Sequence, residues 1–143
     1  MPHLKAHSAN SVLFGCIDDR LSDADTTFIH SLHGGAFHPS MAGGGGAFLN
    51  EQDRDSAVKQ ITAAYQINHI TDVYLESHTD CGAYRLAGIE FKDRTEELKR
   101  LRADLKQAAT QVQAALNRAG AKAGEVAIHT RVITPTGQLL AAS

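Results

Sequence analysis

The chain has 143 residues, enough for a hydrophobic core of its own, and we expect one domain over residues 1–143. Its 14 basic and 16 acidic residues are spread along the chain, so the net charge of -2 provides no binding surface for nucleic acid or an anionic membrane. No apolar run approaches the ~18 residues of a membrane span, and the first residues lack a signal-peptide core. We therefore expect a cytoplasmic protein that acts on a small molecule.

The first half of the chain begins with a short apolar segment at residues 12–17, which predicts a buried strand. Ser22, followed by Asp23 and Asp25, predicts the start of a short helix. Residues 34–46 are rich in glycine and contain Pro39, a composition that predicts irregular structure.

The remaining segments alternate between strand and helix patterns. Apolar residues at helical spacing predict helices over residues 56–68 and 96–119, with a strand at 71–75 between them. Residues 125–133 predict a further strand, 135–137 a turn, and 138–140 a short returning edge strand. This order indicates an α/β fold: a mainly parallel central sheet flanked by helices, with a short antiparallel edge strand. Ligands of such sheets bind at the carboxyl ends of the strands.

Both cysteines lie in polar motifs at the carboxyl ends of predicted strands. The motifs are Cys16-Ile17-Asp18-Asp19-Arg20 and His78-Thr79-Asp80-Cys81-Gly82. Catalytic zinc sites use three protein ligands, commonly thiolate and imidazole, and leave a fourth position for water. Cys16, His78 and Cys81 would supply three such ligands, so the sequence predicts a Zn²⁺ site. Zinc lowers the pKa of its bound water from 15.7 to roughly 7, which provides hydroxide for hydration or hydrolysis.

The acid and arginine of the first motif suggest how such a hydroxide is oriented. In an extended segment, Asp18 and Arg20 project from the same face as Cys16. A carboxylate paired with arginine stays ionised and suits a hydrogen bond from zinc-bound hydroxide. Alternatively, Asp18 occupies the fourth zinc position in a closed, inactive form, or the two residues form only a structural ion pair. The residues leave these alternatives open.

Other polar residues near the motifs have simpler interpretations. Thr79 and Asp80 are expected to satisfy backbone amides of a following helix, and Gly82 to present its amide to substrate. Three histidines, at positions 30, 33 and 38, are candidates for moving protons to solvent, although surface residues without a role are the favoured interpretation.

A redox pair is the other possible use of the two cysteines. It is disfavoured because Cys16 and Cys81 lack Cys-x-x-Cys proximity, and because it would leave His78 without a role.

The two motifs together resemble those of the β-class carbonic anhydrases, in the same order and structural context. The helix at residues 56–68 and the Thr-Gly-Gln-Leu segment at 136–139 extend the resemblance over most of residues 11–140. The resemblance implies zinc on Cys16, His78 and Cys81, with Asp18 and Arg20 as the catalytic dyad. It further implies a lyase that reversibly hydrates carbon dioxide to bicarbonate through zinc-bound hydroxide. Members of that family are built from dimers, which implies a homodimer or higher homo-oligomer here.

Two departures from the family pattern limit what the resemblance implies. We expect the N-terminal helical arm that embraces the partner subunit in typical members to be short or missing here, because the first predicted strand begins close to Met1. Residues 33–39 and 43–46 replace an Arg-Asn-Ala-Gly-Asn-like segment, so the substrate wall differs. Relatives on this scaffold hydrolyse carbonyl sulfide or carbon disulfide, and these remain alternative substrates. The alternative from another functional class is a zinc-binding protein without catalytic activity.

Overall fold

A computed structural model of the protein describes residues 6–140, which contain a central sheet of five strands. In chain order the strands are β1 (Ser11–Phe14), β2 (Ala36–Phe37), β3 (Asp72–His78), β4 (Ala127–Ile133) and β5 (Leu139–Leu140). Their order across the sheet is β2-β1-β3-β4-β5, and only β5 runs antiparallel to its neighbour. The predicted α/β fold with an antiparallel edge strand is confirmed.

The described residues form four α-helices around this sheet: α1 (Ser22–Ser31), α2 (Arg54–Asn68), α3 (Gly82–Leu86) and α4 (Arg94–Arg118). Helices α2 and α4 pack together over one face of the sheet. On the other face, Phe28 of α1 meets Tyr74 of β3 edge to face, with 5.0 Å between ring centroids. No helix among residues 6–140 combines the length and apolar character that crossing a membrane requires.

The longest helix shows how the core is built. Its apolar stripe faces the sheet, where Leu101, Leu105 and Leu116 are buried against the strands. The helix begins at Arg94, two residues before the predicted start, because the Asp93 side chain accepts a hydrogen bond of 2.9 Å from the Glu96 amide. Helix α2 likewise begins two residues earlier than predicted, at Arg54.

The glycine-rich segment is more regular than its composition predicts. It contains the short strand β2 and the first residues of a 3-10 helix, Gly44–Leu49, that packs against β3 and α4. Gly44 has a φ of +53°, and a Cβ there would lie 2.4 Å from the carbonyl oxygen of Glu76. A Cβ at Gly45 would lie 2.4 Å from Leu105 Cδ2. These glycines therefore permit close packing of backbone against the sheet.

Candidate metal centre

Two adjacent strands deliver the three predicted zinc ligands to one place. Strands β1 and β3 pair in parallel, so their carboxyl ends lie side by side. Cys16 follows β1, His78 ends β3, and Cys81 is the N-cap residue of α3. Their potential ligand atoms all lie within 4.8 Å of one another, and the two sulfur atoms are 4.0 Å apart. All three residues are buried.

A hydrogen bond to the neighbouring backbone sets which ring nitrogen of His78 is free to bind a metal ion. His78 Nδ1 lies 2.7 Å from the carbonyl oxygen of Thr79, which can only accept, so Nδ1 carries the proton and Nε2 presents a lone pair. Nε2 is buried and has no hydrogen-bond partner among the described residues. A buried nitrogen acceptor facing two thiols matches the donor set that zinc prefers. The residues present therefore fit a zinc ion.

The two thiols shift each other's pKa in opposite directions. Their mutual hydrogen bond lowers the pKa of Cys16 to about 4 and, together with burial, raises the pKa of Cys81 above its ordinary value. Burial alone would lower the pKa of His78, but the Cys16 side chain and the Thr79 carbonyl reverse the direction and raise it. A thiol with a lowered pKa is suited to bind a cation as a thiolate.

Asp18 lies beside the ligand set and is held by Arg20. Arg20 donates from Nη2 to Asp18 Oδ2 at 2.6 Å and from Nε to Oδ1 at 3.0 Å. This hydrogen bonding lowers the pKa of Asp18 to about 2. Asp18 Oδ2 is 3.7 Å from His78 Nε2. The segment is not extended as expected, because Asp18 caps a 3-10 turn (Asp19–Leu21) that folds Arg20 back onto it.

Several solved structures share this architecture, although by sequence the chain matches no family model and no curated protein. A tetrameric β-carbonic anhydrase from Sordaria macrospora superposes with a TM-score of 0.69 at 14% identity, covering 94% of this chain and 81% of that one. The β-carbonic anhydrase of Aspergillus fumigatus gives a TM-score of 0.60 at 18% identity, with 94% and 75% covered. A carbon disulfide hydrolase gives 0.55 at 15% identity, with 94% and 79% covered.

The chain has the β-carbonic anhydrase fold. The resemblance seen in the two motifs is thereby confirmed at the level of architecture. At these identities the likeness concerns the fold alone, so the roles of individual residues rest on the geometry of this chain.

The structure gives Asp80 partners that the sequence did not indicate. Its carboxylate does not cap α3, contrary to expectation, but binds Arg20 Nη1 at 3.1 Å and Arg85 Nη2 at 2.6 Å. Thr79 Oγ1 is buried and has no hydrogen-bond partner in the described part of the chain. Arg20 and Asp80 are 60 positions apart. Only the pairing of β1 with β3 brings them together, and no local motif could have indicated it.

The other predicted residues lie around the centre in different ways. Cys81 opens onto a groove of about 430 Å³ that runs along α3. A Cβ at Gly82 would meet nothing within 4 Å, so no packing within the described chain requires glycine there. Its role toward substrate stays a prediction. His30 and His33 are exposed, while His38 Nε2 lies 3.5 Å from Asp25 Oδ2.

A second buried polar cluster, unrecognised in the sequence, lies directly behind the first motif. Asp25 and Glu76 are 2% and 0% exposed. A Cβ at Gly15 would lie 3.3 Å from Glu76 Oε1 and 3.5 Å from Asp25 Oδ2, so both carboxyl groups lie next to this glycine. Arg131 Nε forms an ion pair of 3.0 Å with Glu76 Oε2 and stacks its guanidinium on the Phe28 ring at 3.8 Å. Burial raises the pKa of Glu76 to about 9. Burial would also raise that of Asp25, but hydrogen bonds with His38 and Glu76 lower it.

Proposed function

We propose that this protein is a zinc enzyme that reversibly hydrates carbon dioxide to bicarbonate. The observation that carries the proposal is the convergence of Cys16, His78 and Cys81 within 4.8 Å beside an arginine-held carboxylate. When bound there, Zn²⁺ supplies a hydroxide nucleophile near neutral pH by lowering the pKa of its water ligand to roughly 7. The β-carbonic anhydrases among the similar structures support this choice of reaction.

The residues of this chain have separate tasks in the proposed reaction. Asp18 Oδ2 accepts a hydrogen bond from the attacking oxygen and so aims its lone pair at the carbon of carbon dioxide. Arg20 keeps Asp18 ionised, because its hydrogen bonds lower the pKa of that carboxyl to about 2. The backbone N–H of Gly82 faces the substrate oxygen as a donor. Asp18 is thus an orienting acceptor in this proposal, and the closed form with Asp18 as fourth ligand is its inactive alternative.

Metal content and stopped-flow hydration assays test the proposal together. We expect one zinc per chain, and Cys81→Ser should lose both metal and activity. Asp18→Ala should retain the metal but lose about tenfold to a hundredfold in hydration rate, because it removes only the orienting group. The matched control is Asp19→Ala, an exposed neighbour whose loss should leave the rate unchanged. Robust hydration by the Cys81 or Asp18 variant would refute the mechanism.

A second candidate substrate class is carbonyl sulfide or carbon disulfide. It is favoured by the carbon disulfide hydrolase among the similar structures and by the replacement of the usual substrate wall with a glycine run. Sulfide release from either compound, at a rate above that of carbon dioxide hydration, would assign this function instead. A protein with a full complement of zinc that acts on none of these substrates would be a non-catalytic zinc protein.

We further propose that the protein assembles as a homodimer or higher homo-oligomer of one-domain chains in the cytoplasm. Tetramers among the structurally similar β-carbonic anhydrases support the assembly. Two large apolar residues close to the centre, Ile17 and Leu86, are 65% and 91% exposed, which suits burial by a second copy. Free thiols that serve as ligands suit a reducing compartment.

A further inference from the structure

Asp80 has a backbone conformation that its own packing does not explain. Its φ is +56°, in the left-handed region that costs a residue other than glycine roughly 1–3 kcal/mol. The side chain is 56% exposed, so burial in the core does not hold it in place. It lies between the two predicted ligands of the second motif, His78 and Cys81. The conformation must therefore be held by specific contacts.

Those contacts come from three different parts of the fold. Arg20, in the turn after β1, donates to both the carboxylate and the carbonyl oxygen of Asp80, at 3.1 and 3.0 Å. Arg85 of α3 donates to the other carboxylate oxygen at 2.6 Å. The Asp80 amide donates to Glu97 Oε2 of α4 at 2.7 Å. Asp80 is thus fixed on the groove that leads to Cys81.

The same contacts fix the guanidinium of Arg20 from two sides. Its Nε and Nη2 atoms donate to the Asp18 carboxylate. Nη1 donates to the Asp80 carboxylate, and Nη2 also donates to the Asp80 carbonyl oxygen. A guanidinium is planar, with donors in a rigid fork, so engaging two edges fixes its plane as well as its position. Without Asp80, Arg20 would keep one edge engaged and could rotate with Asp18 as a unit.

We infer that Asp80 is a positioning residue that holds Arg20. Through Arg20, it keeps Asp18 beside the metal centre and prevents Asp18 from occupying the fourth metal position. This inference rests on the proposed zinc site, but it concerns the side chains of this chain rather than the identity of the substrate. Loss of Asp80 frees the Asp18–Arg20 pair, so Asp18 competes with outside ligands for the fourth metal position. Asp80 touches neither metal nor substrate.

The test measures access to the fourth position without any turnover. In the cobalt-loaded protein, azide binding is followed by visible absorption. Asp80→Asn tolerates the left-handed backbone and removes the charge, and it should weaken azide binding by about twofold to fivefold, the range for a partly exposed charge pair. Asp80→Gly should weaken it similarly, because glycine relieves the strain but offers no side chain. The control Asp19→Asn makes the same charge change and should bind azide like the wild type.

A double substitution distinguishes positioning from a general effect on the site. In an Asp18→Asn background, Asp80→Asn should leave azide affinity unchanged, since no carboxylate remains to compete. An unchanged affinity in the single Asp80 variants, or a loss that persists in the Asp18→Asn background, would overturn the inference.

A metal-free measurement keeps the inference testable if a variant binds cobalt poorly. The Arg20 Nη1–H protons, which face the Asp80 carboxylate, should exchange with water faster in metal-free Asp80→Asn than in the wild type, and equal exchange would also overturn the inference. A wild-type protein that shows the Asp80-dependent azide behaviour but no hydration activity would refute the proposed reaction and leave the positioning role supported.

Discussion

Among residues 6–140, Arg131 alone forms an ion pair with the fully buried carboxyl of Glu76, at 3.0 Å. Arg131→Met would keep much of the stacking on Phe28 but leave the buried acids Asp25 and Glu76 without that cation. Breaking a buried pair costs about 3–5 kcal/mol, and we expect the lower end because the raised pKa of Glu76 lets it become neutral. Urea unfolding near pH 7 measures the loss.

The matched control for this substitution is Arg94→Met. Arg94 is 56% exposed, and its pair with Glu97 spans 3.6 Å, so its removal should cost less than about 1 kcal/mol. If the two variants unfolded at the same urea concentration, the buried cluster would not contribute the stability that its geometry indicates.

Asp72 makes folding stability depend on pH in the acid range. Hydrogen bonds from His129 at 2.9 Å and Thr71 at 2.7 Å lower the pKa of Asp72 below its ordinary value of 3.8. A carboxyl with a lowered folded pKa contributes stability above its unfolded pKa and loses it as the pH falls through the folded value. Asp72→Asn should therefore flatten the decline of unfolding free energy below pH 4, by less than about 1 kcal/mol because both partners are partly exposed.

The partner residue provides the control for this pH effect. His129→Gln should flatten the same acid limb, and the double variant should add little to either single one. Unfolding free energies at several pH values between 2 and 6 give the comparison. An acid limb as steep in Asp72→Asn as in the wild type would contradict the assignment.

At the scale of elements, the sequence predicted what periodicity and composition determine locally. The apolar stripe of α4 was predicted, and β1 and β3 were located with ends that differ by up to three residues. The two motifs at the ends of those strands meet as parallel pairing requires. The start of α1 at Ser22 was predicted correctly, whereas the starts of α2 and α4 were missed by two residues. For α4 the cause is the cap by Asp93. One side-chain hydrogen bond determines where the helix begins, and the apolar pattern does not record it.

Features set by contacts distant in sequence could not be predicted in this way. The glycine run was expected to be irregular because composition records backbone freedom but not the neighbour against which it packs. The links from Arg20 to Asp80 and from Arg131 to Glu76 join segments 60 and 55 positions apart in the chain, through the sheet alone. The candidate ligands were predictable because each motif is local. Their surroundings were not.

The glycine run yields a prediction about the 3-10 helix Gly44–Leu49 as an element. Gly44→Ala would place an alanine at a left-handed φ and its Cβ 2.4 Å from the Glu76 carbonyl oxygen. We expect the free energy of unfolding to fall by roughly 3 kcal/mol. Gly88→Ala is the matched control, because Gly88 has a φ of +78° but no atom within 4 Å of the added Cβ. It should lose only about 1 kcal/mol. Thermal unfolding of the two variants separates the cost of the backbone conformation, which both share, from the cost of the close contact, which only Gly44→Ala has. Equal losses of stability would show that the contact adds no cost.

For the whole molecule, the exposed apolar residues beside the centre predict the effect of charge on assembly. Leu86→Glu should lower the molar mass measured by light scattering, because a buried interface does not tolerate an unpaired carboxylate. Ile67→Glu is the matched control. Ile67 is 55% exposed but lies in the last turn of α2, near the amino end of β3 and away from the metal centre. A wild-type chain that is monomeric, or an equal effect of both substitutions, would contradict an interface at the centre.

Zinc should also contribute to the stability of the whole fold, because its predicted ligands join β1, β3 and α3. An ion that binds only the folded chain adds about 2.7 kcal/mol at a free concentration one hundred times its dissociation constant. For a chain of this length that gain corresponds to a rise in Tm of about 5–10 °C. Calorimetry with zinc and with a chelator measures the rise, which Cys81→Ser should abolish and magnesium should not reproduce, since hard cations avoid thiolates. The same Tm in zinc and in chelator would show that the folded protein does not bind zinc at these ligands, whatever reaction it catalyses.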